Sequence, residues 1–423
     1  MAIIINLLII IVCLYILIDT KRGILLALIM RPLIDIFWEL KYLIFNVRPP
    51  EVNGVLFPLV IILKLLLSKK NNNFNSPFNI AIIFYFFYQF FPVLLITSDA
   101  GGIQAVNYFF RIIHMLIGFF IFQKFFHERE DFKKLLIALI IAGLTPLGIS
   151  FYQNVLGGQI RTEETIGGLV RNIGLYHDAY TLRFYTLQTL AALILYGAYF
   201  VNQGKIWLKG IIVSIGLFCI YTIYRIYSKA GYLILAQWAV VWYVARKRII
   251  MLVLLFVVGL ITVSLSRFTW IEEIQVVYSK EVGALEGEEQ VEMMFQGRVG
   301  GWLASIEYWK TQPLHKKLFG LGYSSIGTHN DFLRALFGTG IIGLLLYMIL
   351  LGWALAKALR NCIRDNSPLN IMALMLLFMW LIDAMGLSPG GYPGYQLLVW
   401  GFVGLAFRGV SGLDEHRLTE EKG

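Results

Sequence analysis

The chain has 423 residues, of which 58% are hydrophobic and only 15% charged, with a mean hydropathy of +0.71 and a formal net charge of +10. Soluble domains carry about 25% charged residues, so this composition excludes an ordinary soluble enzyme, and apolar runs recur along the whole length with no sizeable polar domain left over. The positive charge is concentrated in short loops between apolar runs, a pattern set by membrane topology rather than by binding to nucleic acid.

A membrane-crossing helix needs about 20 predominantly apolar residues. The sequence predicts helices at residues 2–18, 23–40, 54–68, 78–97, 103–125, 133–155, 180–201, 206–224, 229–245, 249–266, 331–356, 368–387 and 392–408. The fold class is therefore all-α, one polytopic membrane domain over residues 1–423 with about 12–14 transmembrane helices. The first run has no basic residue before it and no small-residue cleavage site, so it reads as a span rather than a cleaved signal. Basic loops at Lys21-Arg22, Lys69-Lys70, Lys124 to Lys134, Lys205 with Lys209, Arg246-Lys247-Arg248 and Lys357 to Arg364 alternate with the others. Placing them all on the cytoplasmic side puts the N-terminus outside and the C-terminus inside. Two long polar connections, 156–179 and 267–330, then face outward, as does the turn from Tyr224 to Lys229. Loops of that length usually carry function. No internal repeat of the transporter kind is visible.

Cys13, Cys219 and Cys362 lie in or beside apolar runs, with no disulfide or metal-knuckle spacing. The phosphate-binding Gly-x-x-x-x-Gly-Lys-Ser/Thr is missing, no two Asp residues stand at i, i+2, and no His-Glu-x-x-His appears among six scattered histidines. No metal or other cofactor is expected. An enzyme built this way takes an already activated substrate, and a lipid-linked one is the natural choice.

Polar chemistry gathers in the outward connections. Gly320-Leu-Gly322 leads through Thr328-His329-Asn330-Asp331 into an apolar helix containing Gly338-Thr-Gly340. His329 reads equally as a general base or as a polar residue at the membrane surface, while Asn330 and Asp331 suit a helix cap. Gly297-Arg298-Val-Gly-Gly-Trp302 places a phosphate-binding cation, or a solvated arginine, in the large outer loop. The nearby Glu281, Glu286, Glu288, Glu289 and Glu292 read as a solvated face. Arg225 and Lys229 flank a tight turn and are either anion ligands or headgroup contacts. Arg171, His177, Asp178 and Arg183 close the first outer connection. Inside predicted spans, Arg31 and Asp35 read as a structural i, i+4 pair. Arg111 reads either as a partner of Asp383 or as part of a headgroup site.

Together these pieces resemble the O-antigen polymerase and ligase superfamily of membrane glycosyltransferases. The resemblance is carried by the many spans and by residues 170–345: Ser228-Lys229 where the family has Ser-Arg, Arg298 before Trp302, Gly320-x-Gly322 before His329-Asn330, and the stretch from Arg171 to His177. It implies a GT-C-like membrane fold in the bacterial inner membrane with its active site facing the periplasm. The implied partners are the lipid bilayer, an undecaprenyl-diphosphate-linked oligosaccharide, a chain-length regulator and a flippase. It implies His329 as the catalytic residue and Arg298, Arg225 and Lys229 as diphosphate ligands. Arg171, His177, Arg183, Asn330, Asp331 and Trp302 are further substrate-binding candidates. The reaction implied is metal-independent, inverting polymerisation of surface-polysaccharide repeats. The alternatives are ligation to a lipid A core and a non-enzymatic flippase.

Overall fold

The computed structural model describes residues 1–40, 48–67, 76–96, 102–158, 160–164, 169–201, 204–254, 256–257, 269–322 and 328–413. Among the described residues it is mainly helical, with one small hairpin. The helices are α1 (Ala2–Ile18), α2 (Thr20–Asp35), α3 (Pro49–Leu67), α4 (Pro77–Ile96), α5 (Gly102–Phe125), α6 (Arg129–Asn154), α7 (Ala179–Phe200), α8 (Ile206–Arg225) and α9 (Lys229–Ala245). They continue as α10 (Thr269–Glu286), α11 (Met294–Lys310), α12 (Leu314–Phe319), α13 (Asp331–Arg364), α14 (Pro368–Gly386) and α15 (Pro393–Arg408). The sequence-predicted helix at 249–266 is helical over 249–254 and lies mostly outside the described residues.

Helix starts follow capping chemistry. A side-chain oxygen of the residue before the helix takes up a backbone N–H that the first turn leaves without a partner. Asp178 does this for α7 (2.8 Å from Thr181 N), Ser228 for α9 (3.2 Å from Gly231 N) and Asn330 for α13 (3.0 Å from Phe332 N and Leu333 N). Among the described residues, α6, α8, α13 and α14 are long and apolar enough to cross a membrane. Large apolar side chains also cover the outer faces of the bundle, for example Ile4, Ile11, Leu217, Ile349 and Leu345. A surface of that kind is stable against lipid rather than water.

The two long connections expected to face outward are more structured than the sequence suggests. Within 156–179, β1 (Thr162–Glu164) and β2 (Val170–Asn172) pair antiparallel, with Glu163 opposite Arg171. The stretch 267–330, read as a long loop, instead contains α10, α11 and α12. Their turns are built by short backbone contacts such as Glu288 N to Gly283 O at 2.8 Å.

The bundle closes around α7 and α14. Helix α7 packs on α6 and α8, and α14 packs on α9, α13 and α15. The most extensive pairing is between α15 and α5. Small residues allow it: a Cβ at Gly118 would lie 2.4 Å from the Leu397 carbonyl, and one at Gly404 2.4 Å from that of Phe119. Such close approach is how helices associate where no hydrophobic effect drives them together.

Helix α13 runs beyond the predicted 331–356 to Arg364 and breaks at Gly340, whose φ is +71°. Its 34 residues would span about 51 Å as one straight helix, far more than the roughly 30 Å hydrocarbon layer. The break divides it into a short N-terminal piece and a span-length C-terminal one. Tyr88 donates to the Thr339 carbonyl beside the break at 3.0 Å. The glycine-rich turn supplies the rest of the support. Gly320 (φ +96°) and Gly340 lie backbone against backbone, and Leu321 N donates to Phe337 O at 2.7 Å. A Cβ on Gly340 would stand 2.2 Å from Leu318 O, and one on Gly320 2.2 Å from Gly338 O. These glycines are thus a packing device.

Gly340→Ala combines a left-handed φ with a backbone clash, each costing about 1–3 kcal/mol. We expect a lower thermal midpoint and less monodisperse protein by size-exclusion in detergent. Gly352→Ala, at a position with open space around it, should leave both unchanged. A Gly340→Ala protein as stable as the parent would contradict the packing role.

Candidate functional site

The N-terminal third, α7 and the start of α13 enclose a cavity of about 450 Å³. Its wall includes Arg31, Asp35 and Trp38 after α2, Arg48 and Glu51 at the start of α3, Arg111 on α5, and His177, Asp178 and Thr181 at the start of α7. Thr328, His329 and Arg334 come from the entry to α13, and Ser388 and Tyr392 from the turn before α15. Four arginines thus face three carboxylates and two histidines in one opening of the bundle. Charged groups in such a bundle are stable where they pair or reach water.

Each charge is placed by a local network. Arg31 pairs with Asp35 at 3.1 Å, and the Tyr185 hydroxyl also donates to Asp35. Arg334 pairs at 2.8 Å with Asp331, whose second oxygen accepts from Tyr347. Tyr347 in turn accepts from Trp380 Nε1 at 2.6 Å. Asp178 caps α7, accepts from both Thr181 N and Oγ1 at 2.8 Å, and receives the Tyr392 hydroxyl at 3.3 Å. Burial pushes its carboxyl up, but hydrogen bonds from His177 and Thr181 outweigh this and hold it below the usual carboxylate range. Trp38 stands between the Arg161 guanidinium, 4.6 Å from its ring, and the His177 ring at 4.5 Å edge-on.

His329 presents its side chain at the cavity wall. Its pKa falls below the ordinary 6.5, first through desolvation and then through the charge of Arg298, with Asp178 opposing. The ring is therefore neutral at pH 7 and able to accept a proton. Arg298, on α11, is half-buried beside the cavity and donates to the Gly386 carbonyl at the end of α14. Its own pKa is lowered by burial and by the charges of Arg171 and Arg183, though a guanidinium stays charged throughout the accessible pH range.

The candidates from sequence divide into two groups. His329, His177 and Asp178 line the cavity, Arg298 acts electrostatically on His329, and Arg171 acts on Arg298. Asn330 caps α13 and donates to Met385 O at 3.2 Å, and Asp331 is fully buried in its pair with Arg334. Trp302 packs on Phe295, ring centroids 5.7 Å apart. Arg183 is buried in an ion pair with Asp383 and donates to Ser228 Oγ at 2.6 Å. Asp383 thus pairs with Arg183, whereas Arg111 lines the cavity. Arg225 donates to Asn154 Oδ1 (3.1 Å) and the Tyr227 hydroxyl (2.9 Å), and Lys229 pairs with Glu281. Neither of the last two lines the cavity. Of the wall arginines, Arg111 carried a headgroup-site reading from sequence and Arg31 a structural one, whereas Arg48 and Arg334 were not site candidates. The available signal was their type, since an arginine within or at the end of an apolar run is a functional candidate by default.

No protein-family model matches the sequence, and no curated protein matches it significantly. The functional assignment therefore rests on the chemistry of the cavity.

The Arg183–Asp383 pair is almost wholly enclosed, with side-chain exposures of 3% and 0%. Removing one member of such a pair costs about 3–5 kcal/mol, because the other charge is left buried alone. Asp383→Leu should therefore sharply reduce folded protein in detergent. The double variant Arg183→Met with Asp383→Leu should recover most of the thermal midpoint. A double variant no better than the single one would show that the pair's charges are not what matters.

Proposed function

We propose that the protein is a polytopic inner-membrane glycosyltransferase with a GT-C-like helical body and its cavity open to the periplasm. In this reading it extends a surface polysaccharide by joining repeat units carried on undecaprenyl diphosphate. One observation supports this above others: a neutral histidine stands among several arginines in a cavity where apolar helices meet outward segments. A lipid diphosphate is an amphiphile with a concentrated anionic group, and arginine is the side chain best matched to its oxygens. The cavity volume is in the range of small-molecule sites.

The chemistry follows from the placement. An acceptor sugar hydroxyl attacks the anomeric carbon of the donor, and His329 takes the hydroxyl proton. The anomeric C–O bond to the diphosphate breaks, and its electron pair leaves with the lipid diphosphate. Arg298 and the cavity arginines stabilise that developing charge without needing to reorganise. Attack from the face opposite the leaving group inverts the anomeric centre. Arg225 and Lys229, engaged with Asn154, Tyr227 and Glu281, are assigned no contact with the diphosphate.

The test is turnover by purified protein supplied with lipid-linked repeat units, read as longer glycan and released undecaprenyl diphosphate. Arg298→Ala should lose at least about 100-fold in rate, and His329→Ala about 10²–10⁴-fold, with both proteins still inserted. A fully active His329→Ala would remove the base. Glycan moved across the bilayer without new linkages would favour a flippase, and transfer only to lipid A core a ligase.

The pH dependence is a separate check. Because His329 must be neutral and its pKa is lowered, the rate should fall on the acid side with a midpoint below 6.5. The Asp178 carboxylate favours the protonated ring, so Asp178→Asn, which preserves the cap, should move that midpoint lower still. An acid limb that does not respond to Asp178 would assign the titration to another group.

A further inference from the structure

The turn between α8 and α9 carries two cations, Arg225 and Lys229, that belong to no part of the cavity wall. Each reaches a different outer segment. Arg225 Nε donates to Asn154 Oδ1 at 3.1 Å, and the same oxygen accepts from the side chain of Asn172 on β2, next to Arg171. Asn154 is fixed in turn by donating to Ser150 O at 2.9 Å. Lys229 pairs with Glu281 on α10 and lies 5.8 Å from the Tyr278 ring, whose hydroxyl donates to Lys229 O at 3.2 Å. The other oxygen of Glu281 accepts from Phe295 N at 3.0 Å, at the start of α11 and three residues before Arg298. Phe295 holds a left-handed φ of +50° there, a conformation that needs outside support in a non-glycine residue. A second peg joins α10 to the same turn, where Glu273 accepts from both Tyr224 and Tyr227.

The two braced segments deliver like charges to one place, since Arg298 feels the positive charge of Arg171. Two guanidiniums repel, and unbraced outer segments would relax by moving apart. We propose that Arg225 and Lys229 are positioning residues: through Asn154–Asn172 and through Glu281–Phe295 they hold the segments bearing Arg171 and Arg298 together beside the cavity. They act on the substrate only through those two arginines. A misplacement of about 1 Å at such a group costs up to about 100-fold in rate.

The turnover arm of the test rests on the glycosyltransferase reading, and a proteolysis arm does not. Lys229→Ala, Glu281→Ala and Glu281→Gln should each lower kcat/KM for the lipid-linked donor, by up to about 100-fold. The exchange Lys229→Glu with Glu281→Lys should recover most of the loss, since it restores the pair while placing a carboxylate where a phosphate ligand would need a cation. Asn154→Ala should reproduce Arg225→Ala. In the full-length protein in nanodiscs, chymotrypsin should cut at Phe295 and Trp302 several-fold faster in the Glu281 variants and at the parent rate in the exchanged protein. If the parent shows no turnover, the enzyme reading fails, and the proteolysis pattern alone decides the bracing role. The proposal is overturned if Glu281→Gln matches the parent in both readouts while Lys229→Ala is inactive, which would place Lys229 on the substrate. It is equally overturned if the exchanged protein is no better than the single variants.

Discussion

The buried ion pair between Arg183 and Asp383 is the interaction on which the rest depends. It joins α7 to α14 across 200 residues of sequence, and the same guanidinium donates to Ser228, the capping residue of α9. Three helices and the turn at 225–229 are therefore fixed by one arginine. Two charges without water are tolerable only when their remaining hydrogen-bonding capacity is met. Most of that capacity is met: Tyr395 donates to Asp383 at 2.9 Å, and the Tyr180 ring lies 5.1 Å from the guanidinium, while the buried Arg183 Nε has no hydrogen-bond partner among the described residues. Because the 225–229 turn is anchored inward by this pair, it can act outward on the hairpin and on α10.

The remaining charges follow a consistent division. Those facing inward are neutralised by a partner held at fixed geometry, as in Arg31–Asp35 and Arg334–Asp331. Arg31, Asp35 and Arg334 also line the cavity, so each of these two arginines is oriented by one carboxylate at its wall. That arrangement presents cations without leaving them mobile, which is what a preorganised anion site requires.

Much of the helical body was legible because apolar run lengths and caps are local properties. Asn330, Ser228 and Asp178 stand at helix starts for the reason their short polar side chains suggest. The site was only partly legible, because it is assembled from distant segments. Arg31, Arg48 and Arg111 come from the first third of the chain, whereas the motifs that carry the family resemblance lie between residues 170 and 345. Glu281 looked like one member of a solvated acidic face and is instead the partner of Lys229. No local pattern distinguishes it from Glu286 or Glu288, since only its position on α10 facing the α8–α9 turn does so. The role of the glycine-rich turn appears only in the fold: Gly320 makes room for the backbone at Gly338 and Thr339, and Gly340 for that at Leu318 and Phe319.

That backbone contact bears on the chemistry all the same. His329 is flanked by two fixed points, the Gly320–Gly340 contact on one side and the Asn330 cap on the other. Thr328 is tied to both Asn330 O (3.1 Å) and Ser388 Oγ (2.9 Å). The imidazole is thus set on rigid elements relative to Asp178 and Arg298, the two charges that tune it in opposite directions. Arginine holds its proton at every accessible pH and neutral histidine accepts one near pH 7. The site therefore separates two tasks that lysines or carboxylates would mix. In the proposed reaction, anion binding falls to the arginines, which do not titrate, and proton transfer to His329, which does.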